Sequence, residues 1–289
     1  MATILITGAY GQLGHEFQAL QLEFPELDFV FTDRDQLDIA NADQVKSFFD
    51  RQPFDYCLNC AAYTAVDKAE SEPALAYLIN EKGPANLAAA CQEHGATLIQ
   101  FSSDYVYHNA LNRPLLETDP VTPKGVYAAS KLAGEQAAIA ANPQTLVLRT
   151  SWIYSSFGHN FVKTMLRLSR ERRQLKVVYD QIGAPTYARD LARNVLDIIQ
   201  SEQAARHPGI YNFSNEGVTS WYDFALAIFE LSGVHCQVTP IGSSAYPTAA
   251  NRPHYSLLDK EKFKTTFGKT IPHWKASLAE CLSILILEE

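Results

Sequence analysis

The sequence predicts an α/β protein with a doubly wound parallel sheet and a smaller C-terminal α/β region. Over the first half of the chain, short and nearly continuous apolar segments alternate with helix-like segments. This pattern is typical of sheets whose strands are covered by helices on both faces. Right-handed crossovers between such strands produce the doubly wound arrangement. A glycine-rich turn directly after the first apolar segment also indicates this fold class.

The predicted elements alternate regularly up to about residue 150. We expect strands at 3–7, 28–33, 55–61, 96–103 and 145–152, and helices at 14–24, 42–52, 73–95 and 128–141. The order then changes to a helix at 160–175, a strand at 175–181 and a helix at 188–200, and 209–214 can return to the sheet as a late strand. We therefore assign residues 1–150 to a first domain, completed by a segment around 187–214, and residues 151–289 mainly to a second region.

Composition and charge exclude several classes of protein. The net charge of −8 argues against nucleic-acid binding, which needs a basic surface. No stretch approaches about 18 continuous apolar residues, so we expect no membrane span, and the apolar segment 282–287 is expected to cap a core. The five cysteines are odd in number and scattered, which favours a reducing cytoplasm. We interpret Cys57 and Cys60 as packed thiols and expect no metal centre.

Gly8, Gly11 and Gly14 form a G-x-x-G-x-x-G pattern between the first predicted strand and helix. Glycines there allow a tight turn, a close approach of the backbone to a pyrophosphate, and close packing of helix on strand. This predicts a Rossmann-like dinucleotide-binding domain over 1–150. Asp33, nineteen residues beyond Gly14, suits the free 2′-hydroxyl of NADH. Arg34 beside it suits the 2′-phosphate of NADPH, so both cofactors stay open.

Later strands are expected to contribute to the same site, because ligands bind beyond the carboxyl ends of the strands. Residues 38–40 can reach the adenine, and residues 59–62 the ribose and phosphates. The cofactor-binding residues predicted in this way are Gly8, Tyr10, Gly11, Gln12, Leu13, Gly14, Asp33, Arg34, Asp38, Ile39, Cys60, Ala61 and Ala62, together with Tyr127 and Lys131.

A predicted catalytic group combines the end of the fourth strand with a helix that follows it. Ser103 and its polar neighbours end that strand, and Tyr127 and Lys131 lie four residues apart on the helix. Carbonyl reduction needs a hydride on carbon and a proton on oxygen. A phenol has the reach to donate the proton, and a neighbouring ammonium is expected to lower its pKa. Ser103 would hold the carbonyl in line with the hydride.

These residues resemble the extended short-chain dehydrogenase/reductase superfamily over nearly the whole chain. Five segments narrow the resemblance to the dTDP-4-dehydrorhamnose reductases: "AAYTAVDKAESEP" (61–73), "SSDYVYHNALNRPLLETDPVTPKGVYAASKLAGE" (102–135), "RTSWIYSSFGHNFVKTML" (149–166), "DQIGAPT" (180–186) and "SAYPTAANRPHYSLLD" (244–259). The resemblance implies NAD(P)H-dependent reduction of the C4 ketone of dTDP-6-deoxy-L-lyxo-4-hexulose, the last step of dTDP-L-rhamnose synthesis.

The resemblance also assigns roles to individual residues. Tyr127 would donate the proton, Lys131 would assist, and Ser103 stands where the family usually has threonine. Arg252 is a candidate for binding the nucleotide or diphosphate, since a guanidinium suits phosphate. The predicted substrate-binding residues are Val66, Ser103, Asp104, Tyr105, Trp152 and Arg252.

The sequence departs from the family pattern at two places. "YHN" follows "DYV" where the family usually has "FDG". Some members form a magnesium-bridged dimer through two glutamates; Glu16 matches the first, but Arg189 stands where the second is expected. Because arginine cannot ligate magnesium, we expect a monomer or a weak homodimer without this bridge.

Two alternative functions stay open. The first is a reductase or epimerase of another nucleotide-4-ketosugar, since the superfamily shares these residues. The second is a non-catalytic regulatory subunit, because the beta subunit of methionine adenosyltransferase resembles the same family. The complete set of Ser103, Tyr127 and Lys131 weighs against the regulatory role.

Overall fold

The structure is a computed structural model that describes residues 1–287. Twelve strands lie within those residues: β1 (Ala2–Thr7), β2 (Leu27–Phe31), β3 (Tyr56–Asn59), β4 (Thr97–Ser103), β5 (Leu146–Thr150), β6 (Ile153–Tyr154), β7 (Gln174–Val178), β8 (Ile182–Gly183), β9 (Thr186–Tyr187), β10 (Gly209–Phe213), β11 (Thr219–Ser220) and β12 (Gln237–Ile241).

Twelve α-helices lie in the same described range: α1 (Gln12–Leu20), α2 (Ala42–Arg51), α3 (Val66–Ala69), α4 (Pro73–Tyr77), α5 (Gly83–His94), α6 (Val126–Ala141), α7 (Phe161–Glu171), α8 (Ala188–Gln200), α9 (Gln203–Arg206), α10 (Trp221–Ser232), α11 (Glu261–Phe267) and α12 (Trp274–Leu287). Among these residues, we find no helix with the length and apolar character that a membrane span requires.

The central sheet has six strands in the order β10-β5-β4-β3-β1-β2, and every neighbouring pair is parallel. Successive residues of β1 face opposite sides, as the pleat requires. Ile4 and Ile6 pack in the core under α1 and α8, whereas Leu5 packs under α2 and α5. Helices therefore cover both faces, and the predicted α/β fold class is confirmed.

The five strands predicted in the first half are confirmed, and so is the late strand, since β10 pairs in parallel with β5. The helix expected at 160–175 is shorter, because α7 ends at Glu171 and β7 begins at Gln174. β7 and β12 pair beside a second core formed by α7, α10 and α12, where Leu282 is buried. The division into domains stays a prediction.

The helix expected at 73–95 is interrupted by a π-helical turn at Leu78–Lys82 between α4 and α5. Pro84 explains the interruption, because a proline ring clashes with the carbonyl four residues earlier, here that of Asn80. The Asn80 carbonyl instead points at α6, where a Cβ on Gly134 would lie only 1.9 Å from its oxygen. Gly134 therefore lets α6 approach the π-helical turn closely.

We expect Gly134→Ala to destabilise the fold by about 2 kcal/mol or more, because a methyl group there overlaps a backbone carbonyl that is fixed within a helix. Gly83→Ala is the matched control, since its Cβ would first meet Cδ1 of Ile39, at the end of a flexible side chain. Urea unfolding midpoints of the two variants measure the difference. Equal stability of both would contradict the packing argument.

Candidate active site

A cleft of about 630 Å³ opens at the carboxyl ends of the central strands. Its walls come from the segments that follow β1, β3, β4 and β5, and from α6. Polar groups beyond the strand ends make no hydrogen bonds between strands, so they can bind a ligand. The cleft lies where the sequence analysis predicts the ligand site.

The glycine turn has the shape of a phosphate cradle. Gly8 has a φ of +62°, and a Cβ on it would lie 2.6 Å from the backbone nitrogen of Ala61. A Cβ on Gly14 would lie 2.5 Å from the carbonyl oxygen of Ala9. Gly11 caps α1 without a side-chain hydrogen bond, so the first N–H groups of this helix are available to an anion. These residues fit a dinucleotide pyrophosphate.

The predicted cofactor residues divide between the cleft and its surroundings. Tyr10, Gly11, Gln12, Leu13, Cys60, Ala62, Tyr127 and Lys131 line the cleft. Gly8, Gly14 and Ala61 shape the turn from behind. Burial raises the pKa of the Cys60 thiol. Cys57 is buried, Cys60 is partly buried, and both are free thiols, in agreement with their interpretation as packed thiols.

The residues expected near the adenine lie beyond the lining of the cleft, where β2 ends. One oxygen of Asp33 accepts the N–H groups of Asp35 and Gln36 at 3.1 and 3.3 Å, which fixes its carboxylate in a turn. The Arg34 side chain is 77% exposed and lies 3.8 Å from Asp38. Ile39 is buried. An exposed guanidinium beside a fixed carboxylate leaves both cofactors possible.

The three predicted catalytic residues all line the cleft. Ser103 is the last residue of β4, and Tyr127 lies in the first turn of α6. Glu70 fixes the start of α6, since its Oε1 accepts the N–H of Val126 at 2.8 Å. The Ser103 hydroxyl is close enough to the Tyr127 side chain to lower its pKa, so strand and helix bring these two residues together.

The pKa of Tyr127 corrects one expectation from the sequence. Burial raises it to about 12, and the hydrogen bond from Ser103 only partly opposes this increase. Lys131 is not among the groups that shift it, and its Nζ donates to the carbonyl oxygen of Phe101 at 2.7 Å. Burial also lowers the pKa of Lys131 to about 8, against the opposing charge of Glu135.

Asp104 is a buried carboxyl at the end of β4. Burial raises its pKa to about 7, although hydrogen bonds with Ser256 and Ser103 act in the opposite direction. Ser103 Oγ donates to its Oδ1 at 3.1 Å and accepts the N–H of Tyr105 at 3.2 Å. The Tyr105 ring meets the Tyr127 ring edge to face, with centroids 5.7 Å apart. These contacts link the predicted sugar-binding residues to the predicted catalytic group.

Trp152 forms an apolar wall of the cleft together with Trp221. The two indoles stack with centroids 3.8 Å apart and planes 12° from parallel. Trp152 has a φ of 48°, a left-handed backbone conformation that tryptophan rarely adopts. Its ring lies against Gly183, where a Cβ would come within 3.0 Å of two ring carbons. Stacking and this close approach together hold Trp152 in place.

Two predicted substrate residues have contrasting positions. Val66 lines the cleft at the start of α3. Arg252 does not line it, because the guanidinium binds the Asp67 carboxylate through two hydrogen bonds of 2.7 and 3.1 Å. The charge of Arg252 still reaches Tyr105 and opposes the rise of its pKa. Arg252 therefore lies near the edge of the cleft, and its role in substrate binding stays a prediction.

Sequence reasoning missed several residues of the cleft: Thr64, Phe101, Thr150, Ile153, Gly158, His159 and Trp221. Thr150 ends β5 and Phe101 lies two residues before the end of β4, so the rule that placed Ser103 could also have found these two. Gly158, His159 and Trp221 come from the second half of the chain, and no local pattern points to them.

Glu16 and Arg189, the two positions compared for a magnesium bridge, are both engaged within the chain. Glu16 is buried, Ser155 donates to it at 2.5 Å, and burial raises its pKa. Arg189 lies 3.4 Å from Glu23 and 3.8 Å from Glu280. In the part of the chain that is described, no group of three or more His, Cys, Asp or Glu residues is arranged to hold a metal.

Comparisons with known proteins agree with this geometry. The family model described as the RmlD substrate binding domain matches residues 1–286. The dTDP-4-dehydrorhamnose reductase of Aggregatibacter actinomycetemcomitans is 40% identical over 288 residues, which cover 96% of this chain and 97% of that protein.

Two solved structures are similar over almost their whole length. That of a dTDP-4-dehydrorhamnose reductase from Clostridium acetobutylicum has a TM-score of 0.94 at 43% identity, over 98% of this chain and 99% of the other. An enzyme of the same name from Bacillus anthracis, in complex with NADP, has a TM-score of 0.92 at 37% identity, over 100% and 99%. The chain therefore belongs to the RmlD family of dTDP-4-dehydrorhamnose reductases.

Proposed function

We propose that this protein reduces the C4 ketone of dTDP-6-deoxy-L-lyxo-4-hexulose to dTDP-L-rhamnose with NAD(P)H. One observation carries the proposal: Ser103, Tyr127 and Lys131 line one cleft together with a glycine turn that leads into an uncapped helix. The names of the relatives support the same substrate and reaction.

The chain's own residues would hold the cofactor along the floor of the cleft. The turn from Tyr10 to Leu13 suits the pyrophosphate, and Cys60 and Ala62 lie where a ribose would pass. When bound, NAD(P)H supplies the hydride that adds to the C4 carbon of the sugar. Asp33 and Arg34 suit the two possible forms of the adenosine ribose, so the proposal keeps both NADH and NADPH.

Tyr127 and Ser103 are suited to handle the ketone oxygen. With a pKa of about 12, Tyr127 keeps its proton at neutral pH and can donate it as negative charge develops on that oxygen. Ser103 lines the cleft beside Tyr127, where its hydroxyl donates to Asp104 and accepts the N–H of Tyr105. If its single hydrogen turns from Asp104 to the ketone oxygen, Ser103 can position the carbonyl for the hydride.

Lys131 supplies a buried cation next to this group. Its pKa of about 8 keeps it mainly charged at neutral pH, and the charge is lost as the pH rises through that value. Its hydrogen bond to the neutral Phe101 carbonyl leaves the remaining N–H donors for the hydroxyls of a nicotinamide ribose. Because this charge is lost, we expect the affinity for the cofactor to decline above pH 8.

The two alternative functions predict different experimental results. A reductase or epimerase of another nucleotide-4-ketosugar would use the same residues, and an epimerase would retain its nicotinamide during purification. A non-catalytic subunit would need no open cleft with an intact Ser103, Tyr127 and Lys131. The decisive assay follows NAD(P)H absorbance, which should decay only after addition of the dTDP-4-keto-6-deoxysugar.

We further propose that the protein acts in the cytoplasm as a monomer or weak homodimer. Free cysteines support a reducing compartment. The ion pairs of Arg189 with Glu23 and Glu280 support the absence of a magnesium bridge at this place.

We expect Tyr127→Phe to lower kcat at least about 100-fold, because the proton donor is removed, while the dissociation constant for NADPH stays within about two-fold. Tyr179→Phe is the matched control, since Tyr179 is 53% exposed and outside the cleft lining. Steady-state kinetics and fluorescence titration measure both quantities. A comparable rate in the Tyr127 variant would exclude it as the proton donor.

Lys131→Met should weaken NADPH binding about ten-fold and also lower kcat, because a charge-assisted hydrogen bond is lost. Lys176→Met, at an exposed position of β7, should change neither quantity. The same titrations and rate measurements serve for both variants. Unchanged binding and rate in the Lys131 variant would refute its double role.

Treatment with EDTA should leave both the turnover rate and the mass in solution unchanged, because Arg189 occupies the position compared with a magnesium ligand. Light scattering and the absorbance assay before and after chelation measure this. Activity that falls with EDTA and returns with magnesium would show that a metal contributes after all.

A further inference from the structure

Three residues of α6 occupy one face, each four positions from the next: Tyr127, Lys131 and Glu135. Lys131 and Glu135 are both buried, with 6% and 1% of their surface exposed. Opposite charges four apart on a helix ordinarily pair. Here they do not: Lys131 donates to the Phe101 carbonyl, and Glu135 binds Arg149 of β5 instead.

The pair of Arg149 and Glu135 is tightly built. Nη2 of Arg149 lies 2.6 Å from Oε2 of Glu135, and Nε lies 3.0 Å from Oε1, so both carboxylate oxygens are held. Nη1 donates to the hydroxyl of Tyr107 at 2.9 Å, and that hydroxyl donates to Asn212 of β10, also at 2.9 Å. Tyr107 therefore fixes the guanidinium from a second side, and the guanidinium in turn holds the Glu135 carboxylate in place.

The register of the sheet connects this pair to the catalytic group. Ser103 and Ser102 of β4 pair with Thr150 and Arg149 of β5. Along α6, Tyr127 meets Ser103, and one turn later Lys131 meets Phe101, two residues back along β4. Four residues of helix and two of strand both span roughly 6 Å, so the contacts stay in step. Glu135 lies one turn beyond Lys131 on α6, and Arg149, level with Ser102 in the sheet, reaches it with its long side chain.

We infer that Arg149 is a positioning residue: by holding the Glu135 carboxylate it prevents this carboxylate from capturing Lys131, and so leaves the ammonium for the cofactor ribose. The inference deepens the proposed function and rests on it for the role of Lys131. Without the Arg149 guanidinium, the buried Glu135 carboxylate would lose its partner. The Lys131 ammonium, one helical turn away, would then pair with it.

The other acidic groups around α6 make contacts elsewhere and do not pair with Lys131. Glu70 of the segment after α3 caps the N-terminus of the helix through Val126. Asp104 lies beyond Ser103 and acts on Tyr127, where it raises the pKa. The pKa of Lys131 responds to burial, which lowers it, and to Glu135, which raises it. Glu135 is thus the carboxylate that would pair with Lys131 if Arg149 did not hold it.

The experiment measures the dissociation constant of NADPH by fluorescence between pH 6 and 10, without sugar substrate, for the wild type, Arg149→Met, Glu135→Gln and the double variant. In Arg149→Met we expect affinity at pH 7 to fall about ten-fold and the alkaline decline to move up by about one pH unit, because a freed carboxylate binds the ammonium. In Glu135→Gln the decline should move to lower pH.

The double variant provides the sharpest test, because it removes both members of the Arg149–Glu135 pair and so leaves neither partner charged and unpaired. We expect it to restore NADPH affinity at pH 7 to within about three-fold of the wild type, since removal of the carboxylate also removes the competitor for Lys131. Arg113→Met is the matched control: Arg113 forms a similar two-bond pair with Asp119, away from α6, and should leave the pH profile unchanged.

Failure of the double variant to recover affinity, or equal loss in all variants with an unmoved alkaline decline, would overturn the inference and reduce the pair to a structural role. If Arg149→Met does not fold, Glu135→Gln and the double variant still decide by the position of the decline and the affinity at pH 7. Because no sugar is present, these results are independent of whether the proposed substrate is turned over.

Discussion

The close approach of α6 to β4 is the contact on which the cleft depends. Tyr127 reaches Ser103 and Lys131 reaches the Phe101 carbonyl only because the helix lies directly on the strand. Gly134 permits this approach from the other side, where a carbonyl of the π-helical turn faces it. A proline in one helix, through the irregular turn it causes, therefore influences the position of Tyr127, the proposed proton donor, in another helix.

Burial dominates the electrostatics of the group. The buried Asp104, Tyr127 and Lys131 all have a pKa displaced toward the neutral form, to about 7, about 12 and about 8. The spacing of Tyr127 and Lys131 in the sequence suggests that the lysine charge lowers the pKa of the tyrosine. For all three groups, removal from water is the larger effect in the free protein.

Local patterns predicted the sheet and half of the cleft, and their limits are physical. Short, nearly continuous apolar segments identified the strands. Because ligands bind beyond the carboxyl ends of parallel strands, Ser103 was expected beside the glycine turn. The partnership of Glu135 with Arg149 was not predictable, because a lysine four residues away is the expected partner on a helix. Trp221 lies 69 residues beyond Trp152 in the chain, and only tertiary packing stacks them.

The left-handed backbone of Trp152 has a consequence for redesign of the substrate preference. Its ring occupies the space that a side chain at position 183 would need, and its other face is covered by Trp221. Exchange of any one of these three residues leaves either a clash or an empty slot. Natural or laboratory variants with a wider sugar pocket should therefore carry coordinated changes at all three positions, and single exchanges should be poor starting points for evolution of new specificity.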